Sequence, residues 1–539
     1  MAFELTDVLQ SFFIERDNLD FFRFNLEWLL LLLPWVFFKS LRNRFYALLV
    51  AVVYLVQLLY STYEGFIRSY YLLDPTLFND YFLFNDMTGY VLNNLQISWG
   101  IYGLLAVLII AFLVFLFWAI WRLVLYLPTE QFSAATRIMM VILVAAILLV
   151  TFNVGTAIAE PQTAVNSLTL KIWQNNGRSR QAASRANRFD SDNLQTTYQF
   201  TTSTLNHRPN IYLIFIESYG SVLYKRRDFN TSYLLMQNEL EKRLRQGKWH
   251  IASTRSEAPT WGGASWVSYT SAIVGASLES HAEFLAILNQ YDDTPFPHLL
   301  NYLNSQGYFN LRISSISREL DDTQLSQYKD FYGFDDWLRY SDLDYSGPLY
   351  GWGPAVPDQY ALNYANDFFE RTTDAPHLFF YITQNSHYPW FPLPDIATDW
   401  RTINDLPPAP PAPLHRVPHE LLRERYLESI RYELTSFVDF ILTEGDENDI
   451  FVLIGDHQPA RVARRADGWD TPLHIISKDQ AFIDSFENYA FRLKMATNGM
   501  ESTIHHEGFY SVFMRVLLEQ YGTEDAVLPE FHPTGFELE

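Results

Sequence analysis

Acids and a histidine follow two short apolar runs that lie far apart in the chain. The run at 210–216 is followed by Glu217, and the run at 449–455 is followed by Asp456 and His457. Runs of this length and composition are typical of buried parallel strands, and ligands bind at the carboxyl ends of such strands. Two carboxylates and an imidazole suit zinc or manganese better than calcium. The sequence therefore predicts one divalent metal ion, manganese or zinc, held by these three residues.

A candidate nucleophile lies between the two runs. Ser265 follows Gly262 and Gly263 and begins a predicted helix that is rich in small and hydroxyl-bearing residues. A nearby metal ion and the positive end of the helix dipole both stabilise a serine alkoxide, which can then attack phosphorus. Ser265 is the predicted nucleophile, with Ser268 and Thr270 as alternatives. The competing interpretation of Ser265 is a simple helix N-cap.

Two further side chains are candidates for contact with a substrate phosphate. His387, in Asn-Ser-His-Tyr-Pro-Trp after a predicted strand, is interpreted as a phosphate contact or as the proton donor to the leaving group. Its alternative is a loop histidine that packs on Trp390. Arg461 would form an anion clamp, although an arginine run such as 461–465 is as often a solvated face. Three other histidines are not predicted to be ligands: His474, His505 and His506.

The first 159 residues form a predicted transmembrane domain of about four helices, at 21–38, 45–61, 98–121 and 136–157. A helix needs about 20 apolar residues to cross a bilayer. The aromatic stretch at 70–90 contains several Asp and Asn residues, which favours a re-entrant or interfacial segment over a fifth span. Basic loops follow the first and third spans and are expected to remain in the cytoplasm. This places the rest of the chain, after residue 160, outside the cytoplasm of a bacterial inner (plasma) membrane.

The composition of the chain excludes some classes of binding partner and some structural features. The net charge of -22 argues against nucleic acid, because its phosphates would be repelled. The chain has no cysteine and therefore no disulfide framework. The first 20 residues lack the basic start and apolar run of a removable signal peptide.

After residue 159 the sequence predicts a polar linker at 160–207 and an extracytoplasmic catalytic domain at 208–539. Short apolar runs alternate with longer amphipathic ones there. The predicted strands are 212–216, 310–313, 378–382, 451–454 and 473–476, with helices such as 233–246 and 419–443 between them. Alternation of this kind predicts an α/β fold with a mostly parallel sheet covered on both faces.

Four motifs in this order resemble the alkaline phosphatase/sulfatase superfamily. They are Asn-Ile-Tyr-Leu-Ile-Phe-Ile-Glu-Ser, Gly-Gly-Ala-Ser, Ile-Thr-Gln-Asn-Ser-His-Tyr-Pro and Leu-Ile-Gly-Asp-His. Together with the membrane helices they resemble the lipoteichoic acid synthases, which are phosphoglycerol transferases, and more distantly the phosphoethanolamine transferases. The resemblance implies an alkaline phosphatase-like fold in which the metal ion is held by Glu217, Ser265, Asp456 and His457. Tyr-Gly-Trp-Gly-Pro-Ala-Val-Pro-Asp resembles a Trp-Gly-x-x-Asp element of the family, which implies substrate-binding roles for Trp352 and Asp358.

The chain also departs from these relatives. The family nucleophile is usually Thr, whereas here it is Ser265. A His and a Trp-x-Arg that grip glycerol phosphate in the synthases are replaced by Ser-Ser-Ile-Ser-Arg, so Arg318 is the candidate replacement for the missing arginine. The Cys or Ser followed by x-Pro-x-Arg that a true sulfatase requires does not occur, which sets sulfate ester hydrolysis aside.

The predicted activity is metal-dependent transfer of a phospholipid headgroup phosphate through a phospho-Ser intermediate. The phospholipid donor is phosphatidylglycerol as first choice and phosphatidylethanolamine as second, and the acceptor is a glycan or lipid of the cell envelope. Two alternatives remain open: a membrane-anchored phosphodiesterase or phosphatase that passes the intermediate to water, and a non-catalytic protein that binds envelope glycan or lipid.

Overall fold

The computed structural model divides the chain into two compact units, Met1–Gln181 and Ala182–Glu539. It describes residues 24–70, 74–94, 99–126, 132–152, 165–187, 198–293, 295–351, 353–410, 417–459 and 461–536.

The first unit is helical. Its described helices are α1 (Leu26–Phe37), α2 (Arg44–Tyr70), α3 (Leu77–Asn94), α4 (Trp99–Leu125) and α5 (Ala134–Thr151), followed by α6 (Leu168–Ala186), whose last residues belong to the second unit. Within the described part of the chain, three stretches are long and apolar enough to cross a membrane: Arg44–Arg68, Gly100–Leu125 and Ala134–Thr151. They overlap the spans predicted at 45–61, 98–121 and 136–157, and residues 153–157 of the last lie outside the described residues.

The first predicted span, 21–38, is shorter in the structure. Phe24–Asn25 is extended and pairs with Val165–Asn166, and the Asn25 side chain accepts a hydrogen bond from the Trp28 N–H at 2.9 Å. This N-cap starts α1 at Leu26, because the side chain satisfies a backbone donor that lacks a partner within the helix. Most of the stretch at 70–90 forms α3, which is not among the three membrane-capable helices of the described residues. The division at 159 and 207 and the count of four spans stay predictions.

The second unit is built on one eight-stranded sheet. Its strands are β1 (Asn210–Ile216), β2 (His250–Glu257), β3 (Phe309–Ser314), β4 (Asp336–Arg339), β5 (His377–Ile382), β6 (Asp449–Gly455), β7 (Asp470–Ser477) and β8 (Ile504–His505). The order across the sheet is β8-β2-β7-β6-β1-β5-β3-β4, and only the pairings of β7 with its two neighbours are antiparallel. The predicted mostly parallel α/β sheet is thereby confirmed.

Helices cover both faces of this sheet. They are α7 (Val222–Lys225), α8 (Arg227–Gln246), α9 (Ser265–Val274), α10 (His281–Asp293), α11 (Leu299–Ser305), α12 (Asp322–Tyr332), α13 (Asp358–Thr372), α14 (His419–Thr443), α15 (Gln480–Ser485) and α16 (His506–Tyr521). Along β1, alternate side chains enter two separate buried cores, one with Phe215 and the other with Ile214. Because both faces are buried, the strand reads as a continuous apolar run.

Candidate active site

The pairing of the two central strands brings the predicted acids together. β1 and β6 are parallel neighbours, with Ile216 opposite Gly455. The residues that follow, Glu217 and Asp456, therefore leave the sheet side by side at its carboxyl edge. Gly455 permits this approach, since a Cβ there would lie 2.0 Å from the carbonyl oxygen of Tyr219.

Three predicted ligand side chains converge at this edge. His457 Nε2 lies 3.4 Å from Glu217 Oε1 and 3.3 Å from Asp456 Oδ2. All three side chains are buried, and one ligand atom from each lies within 4.8 Å of the other two. Among the described residues this is the group of His, Asp and Glu side chains arranged to hold a metal ion.

The hydrogen bonds within the group leave acceptors that a cation would satisfy. Asp456 Oδ1 accepts from the backbone N–H of Ser218 at 2.7 Å and from that of His457 at 2.6 Å. Asp456 Oδ2 is buried and has no hydrogen-bond partner among the described residues. A buried carboxylate oxygen without a partner is costly, and a divalent ion would remove that cost. Oxygen and nitrogen donors in this number fit zinc or manganese.

Burial and the charges of their neighbours shift the pKa of each of the three side chains. Burial and the neighbouring Glu217 raise the pKa of Asp456 well above its usual value. Burial opposes ionisation of Glu217 as well, but the charge of His457 lowers the pKa of Glu217 to about 2. Burial, opposed by the charge of Glu217, lowers the pKa of His457. Its Nδ1 lies 3.0 Å from the Gln458 carbonyl oxygen, so that Nδ1–H donates there and Nε2 keeps a lone pair for a metal ion.

Ser265 is the hydroxyl that the fold delivers to this group. Its Oγ lies 3.0 Å from Glu217 Oε2 and 3.2 Å from His457 Nε2. It is the first residue of α9 and is only partly buried, so a substrate can reach it. Ala264, just before it, has a left-handed backbone with φ of 60°. A non-glycine residue in this region is strained, as is common at functional sites. The helix dipole at this end favours a negative charge on Oγ.

The two alternative nucleophiles are turned into the protein. Ser268 is fully buried, and its hydroxyl donates to the Asp456 carbonyl oxygen at 2.8 Å. Thr270 is also fully buried, and its hydroxyl lies 2.5 Å from both the Trp266 carbonyl oxygen and the Tyr332 hydroxyl. The geometry therefore favours Ser265 over either alternative.

His387 and Arg461 lie in segments that border the metal-ligand group. His387 follows β5 in the loop at the carboxyl edge of the sheet. The guanidinium carbon of Arg461 lies 5.3 Å from the centre of the Tyr388 ring, next to His387 along the chain. Both residues are partly exposed, as a substrate contact requires.

The other predicted substrate contacts are not brought to the same point. Arg318 is partly exposed in the loop after β3, at the same edge of the sheet, and Trp352 lies outside the described residues. Asp358 is 1% exposed and accepts hydrogen bonds from the backbone N–H groups of Gln384 and Asn385, at 2.9 and 2.7 Å. This geometry fits a role in holding the loop before His387 better than contact with a substrate.

A second buried acid, which the sequence reasoning missed, faces Asp358. Glu433 on α14 is fully buried, and neither of its carboxylate oxygens has a hydrogen-bond partner among the described residues. Asp358 and Ser386 are the groups beside it. Burial, followed by the charge of Asp358, raises the pKa of Glu433 well above its usual range. The two carboxyl groups therefore share a proton, and the only signal in the sequence is an acid on the apolar face of a helix.

Two of the three histidines that were not predicted as ligands are buried in the interior. His474 bonds with the Ser253 hydroxyl at 2.7 Å, and His506 with the Ser256 hydroxyl at 2.9 Å. His505 is partly exposed beside Glu507 at 3.3 Å. None of the three belongs to the metal-ligand group of the described residues.

One family sequence model matches part of the chain. Residues 264–491 match the sequence model of the Sulfatase family, a segment that contains Ser265, His387, Asp456 and His457. This segment of the chain is therefore similar in sequence to the Sulfatase family, in agreement with the predicted resemblance. No curated protein matches the chain.

Several solved structures are similar to this chain at low sequence identity. A membrane-integral lipooligosaccharide phosphoethanolamine transferase from Neisseria meningitidis is 13% identical, with 88% of this chain and 84% of that chain covered and a TM-score of 0.42. An alkaline phosphatase superfamily protein from Vibrio parahaemolyticus is 18% identical, with 63% and 78% covered and a TM-score of 0.40. A lipoteichoic acid synthase from Listeria monocytogenes is 12% identical, with 62% and 80% covered and a TM-score of 0.38. Similarity at this level assigns no substrate to this chain.

Proposed function

We propose that this chain, part of which is similar in sequence to the Sulfatase family, transfers a phospholipid headgroup phosphate to a hydroxyl acceptor through a phosphorylated Ser265. The observation that carries the proposal is the position of Ser265 Oγ, at 3.0 Å from Glu217 Oε2 and 3.2 Å from His457 Nε2 at the start of a helix. A hydroxyl between an acceptor carboxylate and a metal-ligand histidine is arranged to lose its proton. The absence of a following x-Pro-x-Arg argues against sulfatase chemistry.

Glu217, Asp456 and His457 would hold the divalent ion, with the Ser265 hydroxyl as a further ligand. When bound, such an ion stabilises the serine alkoxide and the charge on the phosphoryl oxygens. Zinc and manganese both fit the donor set.

The reaction divides into two displacements at phosphorus. In the first, Ser265 Oγ forms a bond to phosphorus, the bond from phosphorus to the diacylglycerol oxygen breaks, and His387 gives that oxygen a proton. In the second, the acceptor hydroxyl loses its proton to His387 and attacks phosphorus, and the bond to Ser265 Oγ breaks. Arg461, beside the His387 segment, would bind the phosphoryl oxygens.

The donor we propose first is phosphatidylglycerol and second phosphatidylethanolamine. Three helices that are long and apolar enough to cross a membrane would keep the enzyme at the lipid surface. We place the catalytic domain on the extracytoplasmic side of a bacterial inner membrane, where an envelope glycan or lipid would be the acceptor. Arg318 and Trp352 are kept as candidate contacts for the headgroup.

Release of diacylglycerol tests this proposal. Full-length protein in lipid nanodiscs with manganese or zinc is expected to release diacylglycerol from one of the two phospholipids, faster when an acceptor glycolipid is added. Ser265→Ala should release none, whereas Ser268→Ala should remain active because its hydroxyl is turned into the interior. Release that is insensitive to acceptor would instead indicate hydrolysis. Equal release by wild type and Ser265→Ala would contradict the proposed nucleophile.

A further inference from the structure

A basic cavity lies in the first unit, between the end of α2, the residues before α3 and the middle of α6. Its volume is about 510 Å³, and Arg68, Asp74, Trp173, Arg178 and Arg180 are among the residues that line it. Sites for small molecules commonly measure about 300–1,000 Å³. The cavity therefore has room for a lipid headgroup.

The charge of this cavity is unusual for the chain. The net charge is -22 overall, yet α6 carries four basic residues and no acid within Leu168–Ala186. Arg68 is balanced by Glu64 at 3.2 Å and by Asp74 at 3.0 Å. Two arginines remain to face a ligand. The cavity is thus a local concentration of positive charge in a protein whose overall negative charge would repel an anion.

These two arginines retain free donors. Arg178 donates a hydrogen bond through Nε to the Pro75 carbonyl oxygen at 3.1 Å. Arg180 is exposed, and no hydrogen bond or ion pair joins it to another described residue. Guanidinium groups with free N–H donors bind phosphate through paired, charge-assisted hydrogen bonds.

The cavity is built on a fixed frame. Asn175 on α6 is 0% exposed, its Oδ1 accepts from the Leu77 N–H at 2.8 Å, and its Nδ2 donates to the Tyr60 hydroxyl at 3.2 Å. Lys171 Nζ lies 2.5 Å from Glu64 Oε2, which is almost fully buried. These bonds attach α6 to α2 and to the start of α3. The arginines are therefore held in place before any ligand arrives.

The cavity also borders the end of a membrane-capable helix. Arg68 is the last residue of the membrane-capable stretch Arg44–Arg68, where a spanning helix would leave the hydrocarbon. Trp173 is 71% exposed and Ile172 is 38% exposed on the neighbouring turn of α6. Exposed tryptophan beside arginine is typical of the headgroup region of a bilayer.

We propose that this cavity binds the headgroup phosphate of one anionic phospholipid, through Arg178 and Arg180, with Trp173 against its acyl-glycerol part. The proposal does not rest on the proposed function, since it requires only a membrane that contains anionic lipid. A zwitterionic lipid gains less, because its ammonium group brings a positive charge towards the same arginines.

Native mass spectrometry of the full-length protein in detergent tests this site, with phosphatidylglycerol or phosphatidylcholine titrated in. Retention of phosphatidylglycerol is expected to exceed that of phosphatidylcholine. The Arg178→Ala/Arg180→Ala variant should weaken phosphatidylglycerol binding about 30-fold, because each arginine near a membrane surface contributes about fivefold. The control is Arg227→Ala/Lys242→Ala, which removes the same charge from exposed positions on α8 and should bind as wild type.

Two further measurements keep the proposal falsifiable. The Arg178→Lys/Arg180→Lys variant keeps the charge and should keep part of the preference even if the alanine variant folds poorly. Glycerol phosphate and inorganic phosphate, added as competitors, identify the source of the ligand. Retention of free phosphate without retention of lipid would overturn the lipid assignment. Equal phosphatidylglycerol binding by the alanine variant and its control, or equal binding of the two lipids by the wild type, would overturn the site.

Discussion

The shared proton of Asp358 and Glu433 should make the stability of the catalytic domain depend on pH. Both carboxyl groups are fully buried. The Asp358 carboxylate accepts hydrogen bonds from the backbone N–H groups of Gln384 and Asn385 and from the Tyr381 hydroxyl. Burial and the neighbouring charge of Asp358 favour the protonated form of Glu433, and a hydrogen bond from the protonated Glu433 favours the ionised form of Asp358. Tyr381 and Tyr432 are the other titratable groups that face the pair, and neither supplies a positive charge.

The direction of the effect follows from where the proton binds. Burial and the charge of Asp358 raise the pKa of Glu433 well above 4.5, the value expected in the unfolded chain. Between that value and the folded pKa, the folded state binds more protons than the unfolded state. The contribution of Glu433 to the free energy of unfolding should therefore be greatest at pH 4.5 and below. Above pH 4.5 this contribution should fall by about 1.4 kcal/mol for each pH unit. Once the pH exceeds the folded pKa, the contribution is lost.

Glu433→Gln removes this dependence while keeping a donor for Asp358, because the amide supplies N–H at every pH. The difference in midpoint temperature between variant and wild type should grow as pH rises from 5 towards 7. About 2 °C per kcal/mol is expected for a domain of this size, hence roughly 2–3 °C per pH unit. The assay is thermal unfolding of full-length protein at several pH values, with the exposed Glu424→Gln on the same helix as control. A constant difference between Glu433→Gln and wild type from pH 5 to 7 would refute the shared proton.

Three other outcomes follow from the site. Ser268→Ala leaves the Asp456 carbonyl oxygen without its donor, so it should lower the free energy of unfolding in urea by about 1–2 kcal/mol. Lipid turnover should remain intact. Loss of turnover with unchanged stability would indicate that Ser268, and not Ser265, is the nucleophile. His387→Gln should slow diacylglycerol release about 10²–10⁴-fold with little change in KM, as expected for loss of a proton donor, and a change in KM alone would leave it only a binding role. Chelation of the divalent ion should lower the thermal midpoint of wild type but not of Asp456→Asn, because the buried carboxylates lose their counter-charge; equal shifts measured by calorimetry would argue against the metal site.

The sequence predicts the strands that carry the site because both of their faces are buried. β1 and β6 read as apolar runs with an abrupt change to acids, and this change marks the carboxyl edge of the sheet. The five predicted strands are all present, and the predicted helix at 419–443 has the bounds of α14. Ser265 could be placed from two glycines and a helix start.

Elements that depend on distant partners could not be predicted. β2 is buried yet contains Ser253 and Ser256, whose hydroxyls bond with His474 and His506 from other parts of the chain. A strand with polar side chains satisfied at long range has no local apolar pattern. The pairing of Asp358 with Glu433 is of the same kind, since only packing of α13 against α14 brings the two acids together.

The most direct test of the account is the mass of full-length protein after incubation with phosphatidylglycerol or phosphatidylethanolamine and manganese or zinc. Wild-type protein should gain one headgroup phosphate, and peptide mapping should place it on Ser265, with none on Ser265→Ala or on Glu217→Gln. A headgroup phosphate on another residue, or on Ser265→Ala to the same extent as on wild type, would contradict the central claim that Ser265 is the nucleophile of a phosphotransferase.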